Sequence, residues 1–424
     1  MKTLKVILIG AGSRGYIYID LMKGNGFQVV GVADPDKKRI NDVKDLYDIP
    51  EDKCFQSWEG LLEKPKFADI AIIATSDRLH YAPAMKALEQ GYNILLEKPV
   101  APTAKECADI ANLAKEKGLK VLVCHVLRYA PLFKKMKELV KSGLIGEVTS
   151  IHHAEYVGQV NYVHSFVRGI WNNSEESSDM LLAKSCHDID LIQWIMDCEC
   201  TYAQSFGSLT YFKRENAPDG APEYCIEGCS YEEECPFSAL KYYSKENPDQ
   251  SLRRHAFRGK YNTEEEIEEA LRTTEFGKCA FKCHNNVVDT QVVSLEFENG
   301  KTASFNMTGL ASGGRQLKII GTKGDLMGTG IDSIVHFDYL TKKATKIPIT
   351  DVIMSGDTVM SGHGGGDMGI VKTLYKYMTE GYEGDMLSEI GVSVRNHMIV
   401  FAAEESRREK TVVDVKEYCN RFLK

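Results

Sequence analysis

The chain has 424 residues, 43% apolar and 26% charged, with a formal net charge of −8 at pH 7. That length predicts two or three domains, and the composition excludes a mainly disordered chain or a fibrous repeat. No apolar run approaches the ~18 residues of a membrane span, and the negative balance argues against nucleic-acid or anionic-membrane partners. The N-terminus lacks the small-residue cleavage site of a signal peptide, so a cytoplasmic location is expected. The twelve cysteines then point to thiol or metal chemistry rather than a disulfide framework.

Residues 4–9 (Leu-Lys-Val-Ile-Leu-Ile) predict a buried parallel strand. Gly10-Ala11-Gly12-Ser13-Arg14-Gly15 follows at once, then a helix to about Lys23, a strand over Phe27–Ala33, and Asp34. Asp34 stands 24 residues beyond Gly10, close to the spacing of about 20 expected of a dinucleotide site. Gly10 permits the tight turn, Gly12 lets the backbone approach a pyrophosphate, and Gly15 lets the helix pack on the strand. The helix start, with Ser13 and Arg14, offers free N–H groups to phosphate. Asp34 suits the ribose hydroxyls and repels a 2′-phosphate, which favours NAD over NADP. Lys37, Lys38 and Arg39 nearby leave NADP as the less favoured cofactor.

The alternation continues with strands over 68–74, 92–96 and 119–124 and helices over 78–90 and 103–117. This predicts an α/β fold with a doubly wound parallel sheet. Ligands in such sheets lie beyond the carboxyl ends of the strands. Thr75, Ser76, His80, Glu97, Lys98 and His125 therefore fall near the cofactor.

At Glu97-Lys98-Pro99 the chain resembles the glucose-fructose oxidoreductase / inositol dehydrogenase (Gfo/Idh/MocA) family. The motifs are GAGSRG (10–15), Asp34, ATSDRLH (74–80), EKPV (97–100), HVLRYAP (125–131) and CHDIDLIQW (186–194), in family order. The segments HSFVRGIW (164–171), NNVVDTQVV (285–293), GTKGDL (321–326) and HGGGD (363–367) are similar to one branch of it. The resemblance implies an NAD(P)-binding Rossmann domain over 1–126. An α/β domain with a large, mostly antiparallel open sheet would follow over 127–424, with the substrate between the two. It also implies hydride transfer between nicotinamide and a ring hydroxyl of a sugar, sugar derivative or cyclitol. Lys98 would reach the reacting hydroxyl, its bond to Pro99 being often cis in relatives. Arg128 would approach the nicotinamide or substrate.

Loss of hydride from a carbinol needs a base within hydrogen-bond reach of the hydroxyl. Burial, and the positive charge of oxidised nicotinamide, would make Lys98 that base. His187 lies in a predicted helix over 180–196, with Lys184, Asp188 and Leu191 on its face. In the family the matching histidine touches the substrate hydroxyl or acts as acid/base. The family pattern has an aspartate four residues before it; here Ala183 stands there, and Lys184 is the substitute contact. A Lys98–Lys184–His187 cluster would suit an oxyanion or an acidic sugar substituent, unless Lys184 pairs with Asp188. Tyr156, His164, Arg168 and Trp171 form a polar-aromatic stretch suited to a sugar. His363 or Asp367 would close the site, Asp367 being equally able to cap a helix.

Five cysteines, Cys225, Cys229, Cys235, Cys279 and Cys283, fall in a cysteine-rich insertion at about 212–285 rich in Glu, Lys and Tyr. With little apolar surface to bury, that insertion would be organised by a metal. Any four thiolates would suit structural zinc, with His255 or His284 competing. An iron–sulfur cluster takes the same ligands, and free or redox-active thiols are the plain alternative.

Beyond it, strands are predicted over 287–297 and 301–307 with a hairpin at Glu298-Asn299-Gly300, then over 316–320 and 333–339. Helices are predicted over 366–379 and 387–408. One sheet face would form a homodimer or homotetramer interface. The expected function is an NAD-dependent oxidoreductase. The alternatives are an NAD-retaining glycosidase working by C3 oxidation, elimination, hydration and re-reduction, with Tyr156 or His164 as second base, and a non-catalytic NAD- or sugar-sensing regulator.

Overall fold

The computed structural model describes residues 2–247, 250–257, 263–329, 333–349 and 363–423. Six strands form a parallel sheet: β1 (Leu4–Ile9), β2 (Phe27–Ala33), β3 (Cys54–Phe55), β4 (Ile70–Ile73), β5 (Asn93–Leu96) and β6 (Val121–Val123), in the order β3-β2-β1-β4-β5-β6. Their residues are almost all apolar and buried, as a sheet covered on both faces requires. The helices between them carry their own stop signals. Thr103 accepts the backbone N–H of Glu106 to start helix Ala104–Lys117, and Gly118 ends it in the left-handed region. The Lys98–Pro99 bond is cis.

Nine strands form the second sheet: β7 (Val148–Tyr156), β8 (Cys200–Ser208), β9 (Thr290–Phe297), β10 (Thr302–Thr308), β11 (Gly314–Gly321), β12 (Gly324–Thr329), β13 (Ser333–Asp338), β14 (Lys343–Pro348) and β15 (Val413–Asp414). Their order is β14-β13-β12-β11-β7-β10-β9-β8-β15. Only β7 and β10 run parallel; every other pairing is antiparallel. Residues alternate along β9, Gln291, Val293, Leu295 and Phe297 facing inward. Asn299 takes the left-handed turn of the β9–β10 hairpin.

The two sheets share a core. Ile7, Ile9, Ile73, Ile94 and Leu96 on one face of the parallel sheet join a cluster running to Leu181, Ile192, Leu295 and Val400. The other face receives Ile370, Val371 and Leu374 of helix Gly366–Thr379, so the chain returns late to cover its first sheet. Helix Ile390–Glu409 locks this return, because His397 Nε2 accepts the Val100 N–H at 3.1 Å. Among the described residues no helix is long and apolar enough to cross a membrane.

Three expectations need correction. The helix predicted over 180–196 is two helices, Met180–Ala183 and Cys186–Met196, broken at Lys184 and Ser185. β12 and β14 are additional strands; β14 is mostly exposed and so carries no buried alternation to read. The insertion is not poor in apolar surface: Phe212, Phe237, Tyr243, Phe257 and Phe281 are buried in it. Phe212 and Phe237 stack edge to face with centroids 5.0 Å apart.

Arg128 lies at the junction of the two sheets, 2% exposed. Its Nε and Nη2 donate to the two oxygens of Asp190 at 2.6 and 2.8 Å, and Asn396 Nδ2 donates to the same carboxylate at 2.6 Å. Removing Asp190 leaves a buried guanidinium uncompensated. Asp190→Ala should destabilise the protein by about 3–5 kcal/mol, read as a lower urea midpoint.

Candidate active site

The glycine turn follows β1. Gly10 has φ +91°, and a Cβ there would meet the Ala74 carbonyl oxygen at 2.6 Å. A Cβ on Gly15 would meet the Gly10 oxygen at 2.1 Å, whereas one on Gly12 would find only the Arg39 guanidinium, at 3.7 Å. Gly12 is thus the open member, where a ligand can approach, and Ser13 is exposed beside it at the helix start. Asp34 ends β2, buried, accepting the N–H of Ala11 at 2.8 Å and of Asp36 at 2.9 Å. A carboxylate has about four acceptor sites, so two remain for a diol. Arg39 Nη1 stands 3.7 Å from Asp34 Oδ2, drawn to that carboxylate. These residues fit a dinucleotide.

Arg14 and Glu97 form the floor. Arg14 Nε donates to Glu97 Oε1 at 2.7 Å, and its Nη2 to Asp367 Oδ1 at 2.6 Å. Tyr18 OH also donates to Glu97 Oε1, and the Lys98 N–H donates to Glu97 Oε2, both at 2.7 Å. Asp367 sits in the first turn of helix Gly366–Thr379 but makes no capping bond, since Arg14 and His363 take its oxygens.

Lys98 projects from the end of β5, half-buried, and its ammonium donates to the Ala183 carbonyl at 2.6 Å. That carbonyl is available because the helix breaks there. His187 lies one turn on, 4% exposed, with neither ring nitrogen bonded. Its ring stands 5.6 Å from His125 and 5.8 Å from His363, centroid to centroid. Burial, then Lys98, His125, His363 and Arg315, push its pKa well below the usual value, so the imidazole is neutral.

Lys184 does not pair with Asp188. Its ammonium stands 3.4 Å from Glu155 Oε1, and burial lowers its pKa. Asp188 accepts from His153 Nε2 and Arg315 Nε, each at 2.7 Å, and Arg315 Nε is 2.8 Å from Glu155 Oε2. Lys184 and Arg315 are therefore matched by Glu155 and Asp188, while the Lys98 ammonium is held by a carbonyl.

Of the remaining expected residues, Thr75 and Ser76 lie on the loop after β4, Ser76 exposed. Trp171 reaches the same loop, its Nε1 donating to Asp77 Oδ1 at 3.3 Å. Five others face elsewhere. His80 is buried between the Pro99 and Thr75 carbonyls, at 2.7 and 3.1 Å, and braces the loop. Arg128 is spent on Asp190. Tyr156 points to the opposite face of β7 from His153 and Glu155, as strand alternation dictates. His164 is buried against the insertion, beside Tyr243 OH and His255, its pKa lowered to about 3 by that burial and by His255 and Arg168. Arg168 donates to the carbonyls of Lys278 and Phe237 in the same layer. The expected zinc site is not formed: among the described residues no three donors converge as an ion requires.

Sequence reasoning missed Glu155 and Arg315. Glu155 had a signal, an acidic residue at an inward position of a strand. Arg315 had none.

Residues 4–125 match an oxidoreductase family with an NAD-binding Rossmann fold, and residues 137–415 match the C-terminal alpha/beta domain of the same family. The chain belongs to the Gfo/Idh/MocA oxidoreductase family. A Bacillus subtilis (strain 168) protein named as an oxidoreductase, YteT, is 25% identical over 388 residues, covering 87% of this chain and 88% of that one. The 2,7-anhydro-N-acetylneuraminate hydratase of Mediterraneibacter gnavus is 26% identical over 197 residues, 46% of this chain and 50% of that one. This chain thus matches about half of the hydratase. A levoglucosan dehydrogenase solved with NADH and L-sorbose shares the fold, with TM-score 0.72, 17% identity and coverage of 98% and 99%.

Burial alone would raise the pKa of Asp367 in this family member, but the hydrogen bonds from His363 and Arg14 overcome it and hold the carboxyl at about 2. A depressed carboxyl stabilises the fold fully above its unfolded pKa of about 4, and that stability is lost as pH falls through about 2. Urea unfolding from pH 5 downward should show this loss, and Asp367→Asn should show a shallower one.

Proposed function

We propose that the protein is an NAD-dependent dehydrogenase of a ring carbinol in a neutral sugar, sugar derivative or cyclitol. The observation that carries the reading is His187, a buried neutral imidazole with both nitrogens unbonded, beside Lys98 and beyond the ends of the parallel strands. Unbonded buried nitrogens are unfavourable unless a ligand meets them. The pairing of Lys184 with Glu155, and of Arg315 with Glu155 and Asp188, supports a neutral substrate.

When bound, NAD supplies the hydride acceptor. Asp34 takes the ribose hydroxyls, Gly12 and the helix start at Ser13 take the phosphates, and Asp34 selects against NADP. Lys98 receives the hydroxyl proton, with the Ala183 carbonyl steadying the resulting ammonium. His187 donates to the same oxygen and fixes its orientation. Lys184 and Glu155 border the substrate, and His363 and Trp171 close the site. Tyr202, Phe206 and Val292 lie exposed on the outer sheet face, where a second copy would pack.

Lys98→Met should lower turnover by roughly 10²–10⁴ while NAD affinity, read by titration, stays near wild type. A regulator would keep its biological activity in that variant.

The hydratase relative favours a second reading, the redox-cycling glycosidase, in which Glu155 rather than Tyr156 or His164 is the second base. With limiting NAD and a panel of sugars, cyclitols and aryl glycosides, NADH should rise in proportion to NAD without aryl release. Many aryl groups released per NAD would replace the dehydrogenase reading with the cycling one.

A further inference from the structure

The chemistry above needs the His187 ring in one orientation. Among the described residues no hydrogen bond sets it, since both ring nitrogens are unbonded. Ring contacts hold it instead. His125 stands edge to face against it, with centroids 5.6 Å apart and planes at 81°. His397 stands edge to face against His125 in turn, at 5.4 Å and 68°. His125, the middle of this row, is fully buried, and its own nitrogens also lack a hydrogen-bond partner.

The far end of the row is anchored to backbone. His397 Nε2 accepts the Val100 N–H at 3.1 Å, which places the ring hydrogen on Nδ1, 2.8 Å from the Ser393 carbonyl. Val100 lies two residues beyond Lys98. The row therefore runs from His187 to the turn that carries Lys98.

A second set of groups faces the middle ring. Asp190 Oδ1 stands 4.0 Å from His125 Nε2. That carboxylate is itself fixed by Arg128 and by Asn396. Asn396 and His397 are neighbours on helix Ile390–Glu409, so one helix acts on His125 through two consecutive side chains.

Burial lowers the pKa of His125, His187 and His397, and Asp190 opposes this at His125 without reversing it. Neutral rings pack edge to face favourably, whereas adjacent imidazolium ions would repel. Holding His187 in this way has a chemical advantage. A hydrogen-bond partner on either nitrogen would occupy a group that has to meet the carbinol. An aliphatic residue at 125 would fill the space but present no ring edge.

We propose that His125 is the positioning residue of this site: its edge-to-face contacts aim the His187 ring and register it, through His397, against the turn that carries Lys98. Its part in turnover rests on the dehydrogenase reading above; its part in orienting His187 does not.

The test compares full-length His125→Ala and His125→Phe with wild type, NAD titration serving as the check of folding. Crystal structures with NAD should show the His187 ring turned from its wild-type orientation in His125→Ala. His125→Phe restores a ring edge and should keep that orientation. With the panel compound that wild type oxidises fastest, kcat of His125→Ala should fall by roughly 10²-fold, as misplacement of a reacting group does, and His125→Phe should recover most of the loss. If His125→Ala does not fold, His125→Leu takes its place. A His187 ring unmoved in the folded His125→Ala protein, or a His125→Phe protein as slow as His125→Ala, would overturn the proposal. A wild type silent on every panel compound would overturn the dehydrogenase reading instead, and the two structures would still decide the role of His125.

Discussion

The ion cluster in which Arg14 bridges Glu97 and Asp367 holds three distant parts of the chain at one point. Arg14 belongs to the glycine turn after β1, Glu97 to the end of β5, and Asp367 to a helix more than two hundred residues later. Each carboxylate is buried, so each must find a cation, and one guanidinium with several donors can serve both. Because Glu97 also accepts the Lys98 N–H, the cluster sets the position of the next side chain as well. His363 is tied to the same centre through Asp367. The glycine turn, Lys98 and His363 thus depend on one set of charges.

A second set governs the opposite wall. Asp188 and Glu155 share Arg315, His153 completes Asp188, and Lys184 completes Glu155. The break between the helices Met180–Ala183 and Cys186–Met196 makes this arrangement possible. It turns Lys184 toward β7 and leaves the Ala183 carbonyl for Lys98. His187 then begins the second helix with both nitrogens unbonded. Charges matched in pairs thus surround an unbonded imidazole.

Local chemistry explains why the first half of the chain was legible. β1, the glycine turn and β2 are encoded by neighbours in sequence: an apolar run, glycines where a Cβ would strike backbone, and an acidic residue at the next strand end. The bounds of β5 and of helix Ala104–Lys117 follow from apolar runs and from Thr103 and Gly118 in the same way. Lys98, His187 and His363 each sit in a compact motif, and the structure places His187 and His363 with ring centroids 5.8 Å apart. Other expected residues lie away from that region. Tyr156 is on the opposite face of its strand from His153 and Glu155, His164 and Arg168 pack against the insertion, and Arg128 is committed to Asp190.

The sequence by itself determined the α/β alternation, the dinucleotide turn, the antiparallel hairpin and the motifs that carry lysine and histidine. All of these depend on periodicity or on spacings of a few tens of residues. Only the tertiary structure decided which charges meet. Arg315 reaches Asp188 across 127 positions, and Asp367 reaches Arg14 across 353. No local pattern records such partners, because burial selects them only after the two sheets have packed. The same holds for the thiols: sequence supplied five candidates, and the backbone bridge between Tyr224 and Lys278, with the turn at Gly228, brought four of them to one cavity.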